Sequence, residues 1–139
     1  MTVRPLRQPK PEAANLPECI EAEAALLGAV LADPDILKTL QPSPAAGDFF
    51  EPVHARIFAR IVELREAGRK VSPSILAPYF KTDTGLEELG GTAYLFRLAG
   101  NIEAMLSPDG FAEVIVDHAE RRRIISTAKA IAEAASNPD

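Results

Sequence analysis

From Ile20 onward, apolar side chains return every three or four positions: Ile20, Ala24, Leu27 and Leu31, with Val30 beside them. That spacing predicts an amphipathic helix over "CIEAEAALLGAVLA", with Glu21 and Glu23 near its N-terminus, where the helix dipole favours acids. In "PVHARIFARIVELREAG" a second stripe of Val53, Ile57, Ile61 and Leu64 is widened by Phe58 and Val62. It predicts the central helix of the fold, with Gly68 placed for a left-handed C-terminal cap. The last segment, "SPDGFAEVIVDHAERRRIISTAKAIAEAASNPD", predicts a single helix of roughly seven turns. Phe111, Val114, Ile115 and His118 make its early apolar face, and Ile124, Ile125, Ala128, Ile131, Ala132 and Ala135 a later one.

Between these elements the chain is punctuated. Asp33-Pro34, Ser72-Pro73 and Ser107-Pro108 each offer a capping oxygen followed by a proline at the first helical position. "DPDILKTL" is expected to be a short helix, and "QPSPAAGD" a loop that delivers Phe49 and Phe50 as plugs for the core. "SPSILAPYF" must break or kink around Ala77, because Pro78 cannot continue a regular helix. In "ELGGTAYLFRLAGN" the two glycines follow neither a Walker loop nor a dinucleotide fingerprint. They are expected to end the turn at Leu86 to Leu89 with left-handed dihedrals and to let Thr92 cap the helix carrying Tyr94, Leu95 and Leu98, which Gly100-Asn101 closes. No convincing strand appears, so the expected fold is all-α.

Composition sharpens this picture. A chain of 139 residues without Trp, rich in aliphatic side chains, suits one helical domain. A formal charge of −5 disfavours generic nucleic-acid binding. Cys19 is the one cysteine, read as a semi-buried inert thiol, and no signal peptide or membrane-length apolar run is seen, which points to the cytoplasm and away from a membrane. His54 and His118 stand far apart without metal-ligand spacing. Tyr79, Phe80, Tyr94 and Phe96 are read as core filling rather than a base-stacking platform. Arg121, Arg122 and Arg123 are read as a solvated face paired with Glu113, Asp117 and Glu120, with weak DNA contact as the alternative. No catalytic, cofactor-binding or metal-binding residues are expected.

Four blocks then carry a family resemblance: "IEAEAALLGAVLADPDIL", "DFFEPVHARIFARIVELREAGRKVS", "LEELGGTAYLFRLAGN" and "ERRRIISTAKAIAEAA". Their order and spacing, from about Leu16 to Ala135, resemble the N-terminal domain of the bacterial replicative DNA helicase of the DnaB type. Pro78 and the proline-rich loop before Phe49 depart from the family pattern. Residues 1–16, rich in proline and basic side chains and without helical periodicity, read as a flexible lead-in. The resemblance implies that the rest is a compact helical domain at 17–106 followed by a long helix at 107–139 that is the first arm of a helical hairpin. It implies a non-catalytic collar domain that pairs with itself, as a dimer and within a hexamer, and docks primase, touching DNA only indirectly. ATP and Mg would belong to a separate motor domain, absent from this chain. The ending "SNPD" stops before a second hairpin arm, as in a piece cut from a longer protein. The rivals are a free-standing helical regulator that mimics the helicase domain and a weak DNA-binding module. Self-association is expected through Ile124, Ile125, Ala128, Ile131, Ala132 and Ala135, because so long a helix outruns a small globular body.

Overall fold

The first predicted helix forms over Ile20–Ala32 (α1), but it is buried on nearly every side, from Ala22 and Glu23 through Leu26, Leu27, Val30 and Leu31. A helix apolar all round belongs inside a fold rather than on its surface. α1 is therefore the hub, against which α2 (Pro52–Glu66), α5 (Ala93–Ala99) and α6 (Pro108–Ser136) all pack. The sequence pattern assigns that central place to α2, whose narrower stripe instead faces inward from one side. That side buries Val53, Ile57, Phe58, Ile61 and Leu64, as the spacing predicts, together with His54. The computed structural model describes residues 16–101 and 107–138, and all regular structure among them is helical. Of the lead-in expected at 1–16, residues 1–15 lie outside the described residues, as does the stretch 102–106 at the end of the expected globular domain.

The punctuation is legible at most of its marks. Asp33 accepts the N–H of Asp35 and starts a 3-10 turn over Pro34–Lys38, which replaces the expected short α-helix. Ser72 accepts the N–H of Ile75 and caps α3 (Pro73–Leu76). The chain leaves the α-helix at Ala77 and continues as a 3-10 turn through Phe80, so the proline breaks the helix where expected. α4 (Thr84–Glu88) is capped by Asp83. Gly90 and Gly91 both take positive φ, and the Gly91 N–H closes on the Leu86 carbonyl at 2.9 Å, so they terminate this turn as expected. Gly68, at φ +73°, ends α2 in the same way.

Two caps differ from expectation. Thr92 and Ser107 precede α5 and α6, but neither side chain makes a capping hydrogen bond. Thr92 already has helical dihedrals, and Ser107 sits at ψ 66°, short of the extended geometry from which a cap oxygen reaches the next turn. The role of opening α2 falls to Glu51, which accepts the Val53 N–H. Phe49 is buried and packs on Phe58 with ring centroids 4.9 Å apart, but Phe50 is an exposed neighbour rather than a second plug.

Candidate interaction surface

α6 is continuous over 29 residues, yet only its first half belongs to the body. Ala112, Ile115 and Ala119 are buried against α1, and after Ala119 no residue of the helix is buried. Asp109 fixes the start of α6 by accepting the N–H of Gln41 at 3.1 Å. The later apolar set lies in the open: Ile124 is 67% exposed and Ile131 65%, against 2% for Ile115. Ala128, Ala132 and Ala135 are exposed as well, and Ile125 is half-buried.

The two sets do not form one stripe. At about 100° per residue, Ile124, Ala128, Ile131 and Ala135 fall roughly 120–180° around the helix from Ala112, Ile115 and Ala119. The outer stripe thus points away from the body. Ile125 and Ala132 lie on its flank. Arg123, Ile124, Thr127, Ala128 and Ile131 line a shallow, mostly apolar groove along it. Chemically this face offers exposed aliphatic surface, with alanines that would permit close approach.

The arginine run is organised differently from the sequence reading. Arg122 donates to the carbonyls of Pro17 at 2.8 Å and Asp48 at 2.7 Å, and Arg123 pairs with the Asp48 carboxylate. Their partners thus come from the chain before α1 and the 3-10 turn Ala46–Asp48, not from Glu113, Asp117 or Glu120 on the preceding turns of α6. Side chains reaching toward the body find a fixed, desolvated acceptor there, which an exposed intrahelical pair cannot match. Arg121 is exposed.

A buried polar chain was missed from sequence. His54 Nδ1 donates to Glu23 Oε1 at 3.0 Å, and His54 Nε2 meets the Tyr94 hydroxyl at 2.6 Å. Glu23 also accepts the N–H groups of Phe50 at 2.7 Å and Glu51 at 3.2 Å. A carboxylate oxygen accepts, so Nδ1 carries the proton of that bond, and Nε2 shares the second with the phenol hydroxyl. Burial, reinforced by the Glu51 carboxylate, pushes the Tyr94 hydroxyl above its ordinary value, so it stays a donor. The chain joins α1, α2 and α5. The one available signal was Glu23 itself, an acid set among Ala22, Ala25 and Leu26, though nothing local names partners 31 and 71 positions away.

The aromatic set divides too. Phe80 fills the core and Tyr94 is half-buried, whereas Tyr79 and Phe96 are exposed. Arg60 lies 4.5 Å over the Tyr79 ring, which removes the need to bury it. Cys19 is half-buried at the head of α1, and His118 donates from Nδ1 to the Val114 carbonyl. Among the described residues no group of three or more His, Cys, Asp or Glu gathers as metal ligands, and no helix is long and apolar enough to cross a membrane.

Comparison with known proteins bears on this architecture. The chain is 31% identical over 121 residues to the replicative DNA helicase DnaB of Treponema pallidum (strain Nichols), covering 87% of this chain and 28% of that protein. It is 32% identical over 117 residues to the replicative DNA helicase DnaB of Geobacillus stearothermophilus, covering 84% and 26%. It therefore spans little more than a quarter of the length of these curated relatives. The crystal structure of the N-terminal domain of DnaB helicase from Mycobacterium tuberculosis shares the fold, with a TM-score of 0.75 at 22% identity over 86% of each chain. The family model for the DnaB-like helicase N-terminal domain matches residues 15–117, from just before α1 to the point where α6 begins to leave the body. With most of its length inside that match, the chain belongs to the family of DnaB-like helicase N-terminal domains.

Proposed function

We propose that this chain is the collar-forming part of a replicative helicase, acting through protein contacts in the cytoplasm. The outer half of α6 pairs with a second copy, such pairs contribute to a hexamer, and the helical body docks primase. ATP and magnesium are assigned to a motor region outside this span, and DNA is reached only through the assembly. The observation that carries the reading is the exposed Ile124, Ala128, Ile131 and Ala135 stripe on the side of α6 turned away from its own core.

Magnitudes set the strength of that contact. Fully burying an isoleucine contributes about 1.5–3 kcal/mol, while association costs roughly 4–15 kcal/mol. Pairing through this stripe alone is therefore weak and concentration-dependent.

Sedimentation across a wide concentration range tests it, with circular dichroism as control. The average mass should rise with concentration, and Ile124→Asp or Ile131→Asp should hold the chain monomeric with helix content intact. Equal loss of helix and mass, or a monomer at every concentration, sinks the pairing reading. Primase docking is tested by calorimetric titration with purified primase, and no binding at micromolar concentrations counts against it.

A further inference from the structure

Beyond Ala119 no side chain of α6 is buried, yet the helix is gripped one turn further on. Arg122 lies three residues past Ala119 and so continues the body-facing side. Its two terminal nitrogens reach two carbonyls far apart in sequence, Pro17 at 2.8 Å and Asp48 at 2.7 Å, and its guanidinium lies 5.3 Å from the centre of the Phe50 ring. Asp48, almost wholly buried, also receives Arg123 on its carboxylate and uses the other oxygen to accept the Ala45 N–H at 2.8 Å. One fork thus bridges the approach to α1, the turn before α2 and the departing helix.

We propose that Arg122, seconded by Arg123, is a positioning residue that fixes the direction in which the outer half of α6 leaves the body. It thereby sets the geometry with which the apolar stripe meets a second copy, an assignment that rests on the pairing reading above. Inward of the clasp, two of the three fully buried residues of α6 are alanines, Ala112 and Ala119, and the larger Phe111, Val114 and Ile115 that anchor the helix all lie before Ala119, so none of them holds the rod beyond it. From Arg122 to Ser136 the rod extends about 20 Å at 1.5 Å per residue. A tilt of about 20° displaces its tip by roughly 7 Å, comparable with the 8–10 Å between packed helix axes. A lysine has donors for both carbonyls but offers them from one point on a flexible stem, without the planar fork that fixes the direction of the helix.

The test is an intrachain distance. Spin labels are placed at Ala59→Cys on α2 and Glu133→Cys, opposite the stripe, in a Cys19→Ser background. The labelled chain is diluted into unlabelled chain, so that pulsed dipolar spectroscopy reads only distances within one copy. Arg122→Lys and Arg122→Ala should each widen the distance distribution about twofold, leave helix content unchanged, and weaken self-association about tenfold. Should Arg122→Ala fail to fold, Arg122→Lys carries the comparison. A distribution as narrow as the parent's in Arg122→Lys and in the Arg122→Ala/Arg123→Ala pair overturns the clasp. A widened distribution with undiminished association overturns its role in assembly. If the parent never associates, the pairing reading fails, while the distances still decide whether Arg122 holds the rod.

Discussion

Ile115 and Ile131 belong to the same helix and the same residue type, and their surroundings are opposite. Ile115 is sealed against α1, while Ile131 stands two-thirds exposed on the far side. The difference extends beyond these two. In the body, one continuous set of apolar side chains is enclosed, with Phe50, Ile75, Tyr79 and Phe96 left at the surface, and among the described residues no buried side-chain nitrogen or oxygen lacks a hydrogen-bond partner. In the outer half of α6 the apolar groups have helical order but nothing against them. Helical periodicity and burial are thus separate properties: the first is local, and the second depends on what lies beside each face.

The largest effect expected from this contrast is at Glu23. Glu23→Ala strips three donors of their acceptor inside the body and should lower stability by about 3–5 kcal/mol, read as a fall in the urea midpoint. Next is the matched pair on α6. Ile115→Ala should cost about 2–5 kcal/mol, whereas Ile131→Ala in dilute, monomeric protein should stay within about 0.5 kcal/mol. Similar losses from the two would abolish the distinction between inner and outer halves.

A smaller contrast separates the two serine–proline helix starts. Ser72→Ala removes a real cap and should cost about 1 kcal/mol by the same measurement, while Ser107→Ala, which removes none, should be close to neutral. The smallest effect concerns charge. The Arg56 guanidinium, bonded at 2.8 Å, holds the Asp83 carboxyl below the usual carboxylate range. A folded value below the unfolded one contributes stability that is full above about pH 4 and is lost as pH falls through the folded value. Asp83→Asn keeps an acceptor for the Leu86 N–H but removes the charge together with the second oxygen, which accepts from Arg56 Nε. Wild-type stability should therefore drop more steeply below about pH 4 than the variant's, by less than about 1 kcal/mol for a partly exposed pair.

Much of the fold was readable in the sequence because its determinants are local. Pro78 ends α3, Gly68 and the Gly90-Gly91 pair take left-handed dihedrals, and the α2 stripe is written at fixed spacing. The exposure of the outer α6 face was legible too, since a helix so long exceeds the body. What sequence could not supply was partnership across distance. It placed α2 at the centre on the strength of its widened apolar stripe, whereas the burial of α1 on nearly every side depends on the helices packed around it. It gave the arginines partners on preceding turns of their own helix, when Arg122 reaches Asp48 and Pro17, 74 and 105 residues away, and Arg123 reaches Asp48, 75 away. Glu23 looked like an ordinary helix-dipole acid, and only folding brings His54 to it and Tyr94 to His54.

Because α6 is buried along Ala112, Ile115 and Ala119 and carries its exposed aliphatic stripe on the opposite side, the helix works as an outrigger. Whatever lies along the outer rod must approach from beyond the hull, never from beneath it. Two such rods laid flank to flank would carry their bulk on the outside and keep the seam between them slender.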